Sequence, residues 1–201
     1  MLAWIVLTSV VINEICYDPP GADGGAEFVE LWNAGPEAVS LDGVRLEFAN
    51  GADDPPSWAV RWTGSAQDSV PAGGVFLIVD RHWSGDVPGQ AEASLGLQNG
   101  PDALRLLDQA GVIDLVGWGE LAWPELSEGP PAVDVTGLSL ARRPDGHDTQ
   151  DNRADLRGAE STPGQPNWQA VAPELTAVIW SPPSVAFVAD TVSVTLELVN
   201  G

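Results

Sequence analysis

Val11-Ile12-Asn13-Glu14-Ile15 and Glu27-Phe28-Val29-Glu30-Leu31-Trp32-Asn33 decide the fold of this 201-residue chain. Each is an apolar run carrying carboxylates at fixed places. Between them, Asp18-Pro19-Pro20-Gly21-Ala22-Asp23-Gly24-Gly25 has the Pro, Gly and Asp chemistry of a loop joining two paired strands. The pair reads as a β-hairpin with Glu14 and Glu30 on neighbouring strands.

The same rhythm continues downstream. Turn signals recur about every 8–12 residues, as in an all-β sandwich. After Gly35-Pro36, residues 39–48 alternate as one half-buried strand with Val44, Leu46 and Phe48 on one face. Residues 57–62 form a short strand with Trp58, Val60 and Trp62 at period two. Val75-Phe76-Leu77-Ile78-Val79 is a continuous apolar run, the pattern of a strand covered on both faces. A turn at Asn99-Gly100 leads to a strand with Leu104 and Leu106, and Gln109-Ala110-Gly111 leads to Val112–Trp118. Residues 120–135 read as a long exposed loop, 137–143 as the last long strand, and 144–156 as polar turns. No stretch longer than about ten residues shows the 3.6-residue period of an amphipathic helix. The class expected is all-β.

Composition narrows function. The formal net charge is −21, and all eight basic residues are arginines. Such a surface repels phosphate backbones and anionic head groups over a Debye length of about 8–10 Å. Nucleic-acid binding needs clustered basic residues, and here only Arg142-Arg143 adjoin, with Asp145 and Asp148 following. Nucleic acid is therefore not an expected partner. Met1–Leu7 is apolar but too short to span a membrane, lacks a basic n-region, and reads as an extra strand or the remnant of a signal. Membrane insertion is not expected. Cys16 is the single cysteine, so it pairs with no other in the chain, supports no cysteine zinc site, and reads as a core or strand-end residue.

Several residues invite a chemical reading. Glu14, Glu27 and Glu30 could bind a divalent cation, calcium being the one that favours hard oxygen ligands. Alternatively they accept hydrogen bonds from backbone and turn groups and hold loop ends in place. Asp145, Asp148, Asp151 and Asn152 lack the alternate-position spacing of a calcium loop and read as turn caps. His82 and His147 read as surface loop residues. No nucleophile elbow, phosphate-cradling loop or Rossmann fingerprint is present, so no enzyme and no other cofactor is expected. Among the nine tryptophans, Trp58, Trp62, Trp83, Trp118 and Trp123 could line a glycan- or protein-binding face. Trp32 and Trp58 read better as core, and Trp83 and Trp123 as exposed anchors.

The order of motifs resembles the lamin-tail family of the bacterial exported type. Beyond the hairpin, the resemblance rests on Asn99-Gly100-Pro101-Asp102-Ala103-Leu104-Arg105-Leu106 and on Asp108-Gln109-Ala110-Gly111-Val112-Ile113-Asp114. Ser139-Leu140-Ala141-Arg142 and the closing Thr162-Pro163-Gly164-Gln165-Pro166-Asn167 complete it. It implies an immunoglobulin-like β-sandwich over residues 10–167, preceded by the segment 1–9. Residues 168–174 read as a linker. Residues 175–201, with two strictly alternating stretches, read as the first strands of an incomplete second immunoglobulin-like domain, so a chain continuing past Gly201 is expected. The functional expectation is a non-catalytic module of an exported or surface bacterial protein, acting in adhesion, scaffolding or targeting. The alternative is an accessory domain of a larger secreted hydrolase, a nuclease or phosphatase. The location expected is extracellular or cell-surface, with a protein or cell-surface glycan as partner.

Overall fold

The computed structural model describes residues 9–21 and 25–167. Most of the segment 1–9, the linker 168–174 and the second domain expected at 175–201 lie outside the described residues.

Among the described residues the domain has twelve strands. The hairpin is present: β1 (Val10–Cys16) pairs antiparallel with β2 (Phe28–Asn33). The other strands are β3 (Val39–Ser40), β4 (Arg45–Asn50), β5 (Ala59–Thr63), β6 (Ser69–Val70), β7 (Val75–Asp80) and β8 (Ala91–Ala93). They continue with β9 (Asp102–Leu107), β10 (Val112–Trp118), β11 (Ser139–Arg142) and β12 (Leu156–Ala159). One sheet has the order β12-β11-β1-β2-β7-β8, a second has β10-β9-β4-β5, and β3 and β6 make a small ribbon. Ile12, Ile15, Leu31, Ile78 and Leu140 of the first sheet pack with Leu46, Phe48, Leu104, Leu106 and Trp118 of the second in one core. The fold is thus an all-β, immunoglobulin-like sandwich.

A bulge explains the two consecutive polar residues of the first strand. The β1–β2 register passes from Ile12↔Leu31 to Glu14↔Glu30, leaving Asn13 as the extra residue. Strict alternation would turn Glu14 into the core. The bulge instead puts it on the outer face, and Ile15 returns to the interior. In β7, Phe76 and Ile78 face the sandwich core while Leu77 and Val79 join Cys16 and Phe28 in a second, outer cluster. That is the covering on both faces its apolar run implied, and Cys16 is a buried strand-end residue.

Four expectations need correction. Residues 39–48 are two strands, because the chain turns at Leu41–Val44, where the Val44 amide donates to the Leu41 carbonyl and Gly43 takes φ 74°. The period-two reading of residues 57–62 fails because the register skips Arg61, so Trp62 is core while Val60 is 51% exposed. Trp32 and Trp58 are half-buried rather than core. Finally, β11 is not the last strand: β12 follows it after a single helical turn, Asn152–Asp155, and pairs with it.

Candidate functional site

The outer face of the six-stranded sheet brings Glu14 and Glu30 together. They are register partners, both fully buried, and they lie beneath the closing segment 161–167. The amide and hydroxyl of Thr162 donate to the two Glu14 oxygens at 2.9 and 2.8 Å. Gly164 N–H donates to Glu30 Oε2 at 2.8 Å, and Asn13 Nδ2 to Glu30 Oε1 at 3.0 Å. Gly164 reaches this position with φ 74°, a conformation that favours glycine. Asn167 Nδ2 donates to the carbonyls of Asn13 and Arg142, and Asp145 Oδ1 accepts from Asn13 and Asn167. All four oxygens of the glutamate pair therefore accept hydrogen bonds from the chain itself, the loop-holding arrangement. Burial pushes the Glu30 carboxyl up to about 7, and the charges of Glu14 and Asp145 add to this against the bonds from Asn13 and Gly164. Burial raises Glu14 as well.

Glu27 does not join them. It precedes β2, and its Oε2 accepts from the Leu97 amide at 3.1 Å.

A second cluster ties the two sheets together. Arg142, on β11 and fully buried, reaches Asp114 of β10 with N–O distances of 3.0 and 3.2 Å. It also approaches Asp155 and Asp148 at 3.4 and 3.5 Å. Ile12 lies beyond the residues of β1 that pair with β11, so these side chains replace the ladder: Arg142 Nε donates to the Ile12 carbonyl, and the Ile12 amide donates to Asp114. Burial pushes the Asp114 carboxyl up, and Arg142 pulls it back. Asp114, Glu128 and Asp148 each place one oxygen within 4.8 Å of the others, the grouping among the described residues that could hold a cation. Burial raises Glu128 to about 8, helped by the charges of Asp114 and Asp148.

Of the four expected turn caps, Asp148 and Asp151 cap turns, whereas Asp145 and the fully buried Asn152 tie distant segments together. Asp151 caps the helical turn through the Ala154 amide, Asp148 accepts from the Gln150 amide, and Asn152 accepts from the amides of Gly117 and Glu128. His82 and His147 are surface residues beside Asp80 and Asp155. Asp114 carries a signal in the sequence, as a lone charge within an apolar strand that requires a partner, whereas Arg142 is masked by its neighbour Arg143. Glu128, in a Pro- and Gly-rich loop, had none.

The tryptophans divide into three groups. Trp62 and Trp118 are core: Trp62 packs on Phe76, and Trp118 stacks on Tyr17 with centroids 4.8 Å apart, so neither lines a binding face. Trp83 is half-buried edge-on to Phe28, and its indole N–H donates to the Val87 carbonyl at 2.7 Å. Trp58 and Trp123 cover the outer face of the four-stranded sheet around Ala49, Ala103 and Leu126. Trp123 lines an open cavity, of about 440 Å³, with Asp53, Asp54, Pro101, Glu120 and Ala122.

No curated protein matches the chain. The model of the Lamin Tail Domain family matches residues 7–120, more than half of its length. That family is one of non-enzymatic immunoglobulin-like modules. The sandwich, its opening hairpin and this match make the chain a member of the Lamin Tail Domain family.

Proposed function

We propose that this chain is a non-catalytic lamin-tail module of an exported or surface bacterial protein, and that it acts in adhesion, scaffolding or targeting by binding a protein or a cell-surface glycan. The observation that carries the reading is a division of labour among the polar groups. The buried carboxylates of Glu14, Glu30 and Asp114 are engaged by partners within the domain, whereas the Trp123 cavity opens to solvent with exposed carboxylates around it. Family membership supports a module that works by contact rather than by chemistry. The charge of −21 disfavours nucleic acid. Among the described residues, no helix is long and apolar enough to cross a membrane.

The test is an immunoblot of fractionated source cells together with binding to intact cells. Product in the envelope or medium, and binding weakened by Trp123→Ala, is the expected result. Product confined to the cytosol overturns export. An accessory role beside a secreted nuclease or phosphatase is the competing reading, and a hydrolase sequence on the same polypeptide decides for it.

A further inference from the structure

The two tryptophans outside the four-stranded sheet have unequal surroundings. Trp58 holds a cation supplied by the fold: the Arg105 guanidinium carbon lies 4.2 Å from its ring centroid, and Glu47 fixes that guanidinium at 2.6 and 2.9 Å. Trp123 belongs to the same cluster, and the acidic residues Asp53, Asp54 and Glu120 line the cavity beside it. Among the described residues no arginine lines this cavity, Arg153 lining only the adjoining one, and the chain has no lysine. The Trp123 site thus has the aromatic face and the acids of the Trp58 site without the cation.

The cavity walls are held in place. Trp123 Nε1 donates to the Asp53 carbonyl at 3.2 Å, and the Gly51 amide donates to the Pro101 carbonyl at 2.9 Å. Asp102, buried behind them, accepts from the amides of Gly51 and Gly100. Pro101 and Glu120 also wall an adjoining cavity of about 550 Å³ that contains Asp134, Arg153 and Val133, the last 62% exposed. A ligand spanning both spaces would meet a cation site and then Val133, flanked by the opposite charges of Asp134 and Arg153.

We propose that the Trp123 cavity receives an arginine side chain from an extended basic segment of a partner protein, with the neighbouring residues of that segment lying against Val133. A guanidinium stacks on an indole face while its N–H groups reach carboxylates, a combination that an ammonium or a neutral sugar satisfies less fully. The negative charge of the domain would draw such a segment in. This inference rests on the binding-module reading and names its ligand class.

The test is an NMR titration at physiological salt with a capped peptide, Gly-Arg-Gly-Arg-Gly, and with its citrulline counterpart. The expected result is saturable shifts of the Trp123 indole N–H and of the amides of residues 51–54 and 119–123. Trp123→Ala or Glu120→Gln should weaken binding about fivefold or more, while Glu92→Gln, on the other sheet, should not. Equal binding of the citrulline peptide overturns the proposal, as do shifts that spread over the surface and fall equally with Glu92→Gln. Saturable Trp123 shifts with a neutral tetrasaccharide, and none with the arginine peptide, overturn the ligand class but leave the binding module standing. Silence of Trp123 toward both probes overturns both.

Discussion

Arg142 and Glu30 belong to the same sheet and are both fully buried, yet the fold handles their charges by opposite means. Arg142 faces inward and meets counter-charges, binding Asp114 across the sandwich and Asp155 beside it. Glu30 faces outward and meets no counter-charge: an amide from Gly164, a carboxamide from Asn13, and a second carboxylate opposite. The first arrangement cancels charge and joins two sheets. The second leaves charge uncancelled and fastens a terminal segment to one sheet. Buried charge is costly in either case, and near neutrality the pH dependence of stability should carry the raised Glu30 of the second arrangement together with Glu128 beside the first.

Breaking the inward cluster should have the largest effect. Arg142→Met strands Asp114 and Asp155 without their counter-charge and removes the donor to the Ile12 carbonyl. The expected loss is about 3–5 kcal/mol, read from urea unfolding. Adding Asp114→Asn, which removes one stranded charge, should recover part of it. An Arg142→Met variant as stable as the parent would contradict the counter-charge account.

The outward pair should show itself through pH. Glu30 is raised from 4.5 to about 7 in the folded domain, so between these values the folded state holds a proton that the unfolded chain releases. Stability should therefore fall as pH rises from about 4.5 through about 7, with the penalty fully present above that window and relieved below it. For Glu30 the full change is on the order of 3 kcal/mol. Glu30→Gln should flatten the profile, although Glu128, Asp102 and Glu14 are raised too and will leave a residual slope of the same sign. An unchanged profile in Glu30→Gln would sink this part of the comparison.

Calcium should have the smallest effect. With four carboxylate oxygens already accepting hydrogen bonds from the chain, millimolar calcium should move the melting temperature of a chelator-stripped sample by no more than about one degree, a few tenths of a kcal/mol for a domain of this size. A larger rise that Glu30→Gln abolishes would place the ion between Glu14 and Glu30. A rise that survives Glu30→Gln and disappears in Glu128→Gln would direct it to Asp114, Glu128 and Asp148.

The hairpin was legible because its apolar alternation and its Gly-rich turn are local signals. The pairing of Glu14 with Glu30 followed from it. Their true partners were not legible as contacts, since Thr162 lies 148 residues from Glu14 and nothing local announces that a closing Thr-Pro-Gly segment will lie over the first strand. β8 escaped notice because Ala91-Glu92-Ala93 is short and weakly apolar, and it owes its place to parallel pairing with β7. The division of residues 39–48 was masked because Val39, Leu41 and Val44 are all buried whether or not the chain turns between them. Bulges hid the facing of Val60 and Trp62, since one skipped residue inverts a period-two pattern. Trp118 and Trp123 were indistinguishable by residue type. Stacking on Tyr17 buries one, and the loop after β10 leaves the other beside open space.

Hydrogen exchange at the Thr162 and Gly164 amides tests the central claim, that the buried glutamates hold the closing segment, most directly. Near pH 7 both amides should be protected to the level of β1 and β2, because each donates to a buried carboxylate, and Glu30→Ala should release Gly164 first. Exchange of both at the rate of an exposed loop would show that the segment is not held there, and would contradict the account.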